Sequence, residues 1–398
     1  MAEELRDLLV GPAVIVDDEV NDTATEIGAI RAEIERQQIP VVAYVAIPDD
    51  NALRHWQVSS MIIVDWDLTG EERLPGVSTP SVLETGIAQF IKRLVDSVYA
   101  PVFIFTREDV ELVWQILEAE FDAERAELQR RIEVRAKSAV IADVLAAVTD
   151  WWVKHPAMYA LKAWDRSYAA ARESTFREFE ESSPSWPGAL WAALEAEGSS
   201  PGPELADVIG RNVVNRLPSD LFNPAHLHTA MDLDGASLRR ILHRQAVIDE
   251  VSLDGSTISP GDFFFEEVAG DRPPRILINV SPSCDTVARA GESLDDVRLL
   301  LLIAEPMAPE VLKRARKVHE LYRAQKTTEA IIWHVDPLGW PYKVKFSSWN
   351  TLSWSEVKEM RRGRLLDPYA TQLQEQLGQY LYRRGFMALP ERAFEGLS

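Results

Sequence analysis

A single cysteine, Cys284, stands in 398 residues, so an internal disulfide framework is excluded and the composition suits a reducing cytoplasm. No apolar run approaches the roughly 18 residues needed to cross a bilayer. The opening residues, MAEELRDLL, are acidic and amphipathic rather than basic and then apolar, which is not the pattern of a secretory signal. Internal repeats and low-complexity tracts are missing, and no recognisable helix-turn-helix is found. Positive charge is scarce early in the chain. Residues 1–150 carry 29 acids against 13 Lys and Arg, 151–258 carry 15 against 10, and 259–398 carry 19 of each. An acidic surface repels phosphate backbones, which argues against nucleic acid as a partner of the first two-thirds. The basic runs LKRARKVHELYRAQK and MRRGR near the end read as solvated helix faces.

What is present is an ordinary globular composition, 46% hydrophobic and 26% charged, in a chain long enough for two or three domains. Residues 10–150 alternate between strand and helix. The runs PAVIVDD, IPVVAYVAI, SSMIIVDWD, APVFIFT and RIEVRAKS read as strands. TATEIGAIRAEIERQQ, VLETGIAQFIKRLVDSV, VELVWQILEAEF and AVIADVLAAVTDWW carry helical spacing between them. Strands apolar on both faces that alternate with helices imply an α/β, doubly wound, parallel five-stranded sheet covered on both sides. Residues 151–250 lose the strand signal and read as a helical module. Residues 251–398 read as a small α+β or β-barrel-like domain. The segments DGSTISPGDFFFEEV, PRILINVSPSCD, VRLLLLIAEP, EAIIWHVDP and YKVKFSSW read as short strands with turns between them, with a helix near 308–325 and further helices at SWSEVKEMRRGRLLD and YATQLQEQLGQYLYRR.

Ligands of open α/β sheets gather at the carboxyl ends of the strands. Those ends carry Asp17 and Asp18 after strand one, Asp65 after strand three, Thr106 after strand four and Lys137 on strand five. In a 2-1-3-4-5 strand order all five converge. Three carboxylates so close together need a cation to stay ionised, and a hard divalent ion with oxygen ligands, Mg²⁺, is the natural one. Lys137 adds an ammonium without competing for the metal. Asp65 could then accept a phosphoryl group as an acyl phosphate, with the Thr106 hydroxyl in reach of a phosphate oxygen.

The ordered set VIVDD, IIVDWD, VFIFT and VRAKS resembles the receiver domain of two-component response regulators, over a little more than a third of the chain. The resemblance implies a flavodoxin-like fold, Asp17 and Asp18 as metal-binding acids and Asp65 as phosphoacceptor. It further implies the Asp67 carbonyl as an additional metal ligand, Thr106 as the switch hydroxyl and Lys137 as the phosphate-contacting lysine. A histidine kinase or a small phosphodonor would supply the group, and a protein partner or a second copy would meet the receiver face. Some features depart from the pattern: TGEERLPGVSTPS is inserted after Asp65, the segment from Thr106 to Lys137 is long, Ser138 stands where a proline usually follows the lysine, and Trp66 directly follows the acceptor. A receiver that keeps its acids but binds a partner without being phosphorylated is the competing expectation. The long acidic layout also resembles receivers that accompany bacterial conflict or phage-defence systems.

Other residues invite chemistry. His226 and His228 in NPAHLHTAMDLDG, with His243, offer ring nitrogens, but a His-x-His pair shares a side only in a strand, so packing is the expected role. Cys284 and Asp285 follow an expected strand, with Arg289 close in sequence and His334 in IIWHVDP as a candidate base. The texture around PGDFFFEE and SPSCD loosely resembles the SH3-like barrels of bacterial growth-inhibiting toxins. Three readings therefore stand: a cytoplasmic switch phosphorylated at Asp65 that controls the modules behind it, an enzyme or toxin-like effector in 251–398 regulated by the receiver, and an adaptor whose acidic pocket binds no Mg²⁺.

Overall fold

The computed structural model describes residues 8–66, 68, 82–141, 143–196, 201–227, 233–268, 273–288, 292–307, 328–333, 335–336 and 340–382. Its packing divides the chain into two units, Met1–Trp186 with Asp207–Ala230, and Pro187–Ala206 with Met231–Ser398. Among the described residues no helix is long and apolar enough to cross a membrane.

In the first unit, strands β1 (Ala13–Val16), β2 (Val41–Tyr44), β3 (Met61–Asp65), β4 (Val102–Thr106) and β5 (Ile132–Ala136) form a sheet in the order β2-β1-β3-β4-β5. Every pairing is parallel. This arrangement is compatible with the expected flavodoxin-like α/β fold. In β1, β3 and β4 the apolar runs have a simple cause: consecutive residues of a strand face opposite sides, and both sides are buried. Thus Ile15, Ile63 and Phe103 face one core, and Val14, Val16, Ile62, Val64 and Ile104 face the other.

The first core is closed by α1 (Glu26–Arg36), α4 (Val144–Lys154) and the start of α5 (Pro156–Ser182). These bring Ile27, Ile30, Ile34, Val148, Trp151, Trp152 and Met158. The second is closed by α2 (Val82–Ser97) and α3 (Val110–Phe121), through Phe90, Ile91, Val113 and Leu117. Helix starts follow their capping residues. Thr25 Oγ1 accepts from Gly28 N at the head of α1, Asp109 from Glu111 N at α3, and Asp143 from Ala146 N at α4. The Asp143 cap divides the expected helix at 139–152, leaving one helical turn, Lys137–Val140, before α4. Gly28 permits close packing of α1 on the preceding loop, since a Cβ there would meet Asp22 O at 2.1 Å.

Helix α5 is bound to this unit by polar contacts as well as by its core residues. Its Lys162 is buried and donates from Nζ to Ser59 O at 2.6 Å, and Tyr159 Oη accepts from Asn223 N at 2.7 Å. Beyond it lie α6 (Trp186–Ala196), α7 (Pro201–Val214) and α8 (Gly235–Ala246).

The second unit holds β6 (Val247–Asp249), β7 (Asp262–Glu266), β8 (Arg275–Asn279), β9 (Arg298–Pro306), β10 (Glu329–Ile332), β11 (Tyr342–Ser353) and β12 (Arg361–Leu365). Their order is β10-β11-β9-β8-β7-β12-β6, antiparallel throughout. Among the described residues this is an open sheet with β10 and β6 at its edges, which fits the α+β alternative rather than the barrel-like one. Helix α9 (Tyr369–Tyr382) covers one face through Ala370, Leu373 and Leu377.

One segment corrects the sequence expectation. SWSEVKEMRRGRLLD is α-helical at Trp354–Val357, where Ser353 and Glu356 form a capping box, and continues as a 3-10 turn over Lys358–Met360, but Arg361–Leu365 is a strand. The cause is tertiary. Arg361 and Arg364 both reach the buried Asp262 carboxylate, and Gly363 lets β12 lie against β6, where a Cβ would meet Ile248 O at 2.5 Å. The expected helix near 308–325 lies outside the described residues.

Candidate functional site

The carboxyl ends of β1, β3 and β5 supply one largely buried polar cluster, and β4 ends beside it. Asp17 immediately follows β1. Its backbone N donates to Tyr44 O at 2.9 Å, and its Oδ1 accepts from Glu19 N at 2.8 Å, so both main chain and side chain are held. Asp18 lies beside it, partly exposed, and Asp65 ends β3 at 4% exposure. One carboxylate oxygen from each of Asp17, Asp18 and Asp65 lies within 4.8 Å of the others.

Lys137 faces these acids. It does not lie on strand five as expected but opens the helical turn that follows β5, and Ser138 is exposed in that turn. Its Nζ stands 2.8 Å from Asp17 Oδ2 and 3.0 Å from Asp65 Oδ2. Burial alone would depress the ammonium, but attraction to Asp65 and the hydrogen bond to Asp17 outweigh it and raise Lys137 above the ordinary lysine range. Asp18 is raised above the usual carboxylate range, by burial first and by repulsion from Asp17 next. Three carboxylates against one ammonium leave the cluster negative.

That donor set fits a small hard divalent cation: all three ligand atoms are carboxylate oxygens, and their spread allows one ion to touch all of them. Asp17, Asp18 and Asp65 would hold Mg²⁺, which when bound would neutralise acid charge and polarise phosphoryl oxygens. Asp67, expected to add a carbonyl, lies outside the described residues, as does the whole insertion TGEERLPGVSTPS.

Thr106 ends β4, fully buried, and its Oγ1 accepts from Glu108 N at 2.9 Å. Trp66 is buried in the second core, so its ring packs under the sheet's helices, and its Nε1 has no hydrogen-bond partner among the described residues. Asp17, Asp18, Asp65 and Lys137 are thus brought together, with Thr106 at the end of the strand beside β3.

Sequence reading missed a second ring of charge. Arg107 donates from Nη2 to Glu19 Oε2 and from Nε to Glu26 Oε2, each at 3.0 Å. Acid and base at these three positions look like ordinary surface residues in the sequence; a run of acids at 17–19 was the one visible sign.

The other candidates are dispersed. Cys284 is exposed in a short turn, Ser283–Asp285, with Sγ 3.7 Å from Asp285 Oδ1. Arg289 and His334 lie outside the described residues, so the described geometry joins only Cys284 and Asp285. His226 is buried against the Tyr159 ring in the first unit, at 4.7 Å between centroids. His243 pairs through Nε2 with Asp249 Oδ1 at 3.1 Å in the second. His228 lies outside the described residues. No protein-family model and no curated protein matches the chain.

Proposed function

We propose that this protein is a signal-transduction switch whose first unit takes a phosphoryl group on Asp65 and passes the change to the modules that follow. The observation that carries the reading is the gathering of Asp17, Asp18 and Asp65 within 4.8 Å, with Lys137 bridging two of them. A merely structural acid cluster has no need of three carboxylates against one ammonium at the strand ends of a parallel sheet.

The residues divide the work. Asp17 and Asp18 hold the divalent cation, and the Lys137 ammonium keeps the Asp65 carboxylate aligned and meets the negative charge of the incoming group. An Asp65 oxygen forms a bond to phosphorus while the donor's own bond to phosphorus breaks, and the leaving group departs with that electron pair. The β3 strand end keeps water away from the acyl phosphate, since Asp65 is almost wholly buried. Thr106, now near a phosphate oxygen, exchanges its bond from Glu108 N for one it donates to the phosphate, and the β4–α3 loop shifts with it. A histidine kinase or a small phosphodonor is the source of the group.

Intact-protein mass after incubation with Mg²⁺ and acetyl phosphate tests this. The expected result is a gain of one phosphoryl group that Asp65→Asn abolishes. A parent protein that gains nothing, and is not stabilised by Mg²⁺ with beryllofluoride, overturns the proposal in favour of the adaptor that binds partners without phosphorylation.

A further inference from the structure

The sheet order places β3 between β1 and β4, so the loops after β1 and β4 flank the tip of β3, where Asp65 lies. Neighbouring strands are about 4.8 Å apart, which puts the two loops roughly 10 Å from each other. A long side chain crosses that gap. Arg107, the residue after Thr106, reaches Glu19 on the far loop and Glu26 in the first turn of α1, both at 3.0 Å. Glu19 is itself tied to the acid cluster, its backbone N donating to Asp17 Oδ1 at 2.8 Å.

These pairs are not there chiefly for stability. Arg107 is half exposed, and ion pairs of that kind contribute little to folding. Their position gives them another effect. Arg107 places a positive charge beside the loop that carries the negative cluster, and it offsets two further carboxylates, Glu19 and Glu26, that would otherwise add to that charge. We infer that Arg107 is a positioning residue that sets the preference of the pocket between cation and anion: it weakens divalent-cation binding and favours the approach of an anionic phosphodonor. The anion half rests on the phosphorylation reading, whereas the cation half does not. The residue also links Thr106 to the loop that carries Asp17 and Asp18, so movement at one is felt at the other.

The sign of the effect distinguishes this role from simple damage to the fold. In Arg107→Gln a positive charge is lost, so Mn²⁺ affinity, read as free ion by electron paramagnetic resonance, rises about three-fold at low ionic strength. The rate of phosphorylation by acetyl phosphate falls by about the same factor. Glu26→Gln removes a negative charge from the same clasp and shifts both quantities the opposite way, while Arg107→Lys stays near the parent. All differences shrink in 0.5 M salt, where the screening length is about 4 Å. Mn²⁺ binding that is unchanged or weaker in Arg107→Gln overturns the inference even if the parent is phosphorylated. A parent that takes no phosphoryl group while Arg107→Gln still tightens Mn²⁺ overturns the proposed function and leaves the charge-setting role standing. Failure of every form to bind Mn²⁺ overturns the inference whatever the phosphorylation assay gives.

Discussion

Each unit buries a carboxylate beside cationic side chains, and the two clusters are built to opposite ends. In the second unit Asp262 is fully buried and meets two guanidiniums: Arg361 Nη2 at 2.9 Å and Arg364 Nε at 2.7 Å. Its other oxygen accepts from Ser259 N at 3.0 Å. The surplus positive charge is taken up locally, since Arg361 also donates to Asp254 O, Arg364 to Thr257 O, and the Arg361 guanidinium lies 5.5 Å from the Trp354 ring centroid. In the first unit the surplus is negative, and the second ring, Glu19 and Glu26 against the single cation Arg107, adds to that surplus rather than settling it. A cluster whose excess charge is spent on carbonyls and a ring fastens strands together. One whose excess is kept at the mouth of a parallel sheet is suited to a mobile ion.

The largest expected effect breaks the fastening cluster. Asp262→Ala leaves two arginines in the sheet without their carboxylate, and the loss should be about 3–5 kcal/mol of second-unit stability, read by urea unfolding. Mg²⁺ should restore none of it. A loss below about 1 kcal/mol would mean the arginines find other acceptors and that the cluster is not a fastener. Lys137→Met comes next. It leaves Asp17 and Asp65 facing each other without their ammonium and should cost about 2–4 kcal/mol in the absence of divalent ions. Here Mg²⁺ should recover a substantial part, and that difference in response separates the two clusters.

The smallest effect sharpens the contrast by reversing its sign. Asp18→Asn removes an acid that the folded protein ionises reluctantly, so the ion-free protein should gain stability on the order of 0.5 kcal/mol at neutral pH, solvent screening included. The variant should also respond less to Mg²⁺ in a thermal melt. The pH dependence follows from the shift directions. Asp18 has a folded value above its ordinary 3.8, so its penalty is present at neutral pH and fades as pH falls through the folded value. Lys137 is raised above 10.5, so its contribution is complete below that value and is lost as pH rises through the higher folded one. An ion-free melt that shows no gain for Asp18→Asn would remove the charge-excess argument.

The central strands β1, β3 and β4 were legible because burial on both faces leaves an unbroken apolar run, as in MIIV before Asp65, and the polar residue that ends each of these runs marks the strand end. Asp17 and Asp18 follow β1 as expected, Asp65 and Thr106 are the last residues of β3 and β4 rather than the first beyond them, and Lys137 is displaced by one residue into a helical turn. The strand Arg361–Leu365 was not legible. Its residues, RRGRL, favour a strand only because Asp262 waits on the neighbouring one, a partner 99 residues away from Arg361.

What the sequence by itself determined is the alternation of strand and helix in the first 150 residues and the chemical kinds available at the strand ends, because hydrophobic period and residue type are local properties. Tertiary structure alone decided which ends are neighbours. The order β2-β1-β3-β4-β5 brings Asp17, Asp65 and Lys137 into hydrogen-bonding reach across 120 residues of chain and lets Arg107 span the tip of β3. Charge acts through distance in space, and distance in space between remote residues is set only when the sheet is assembled.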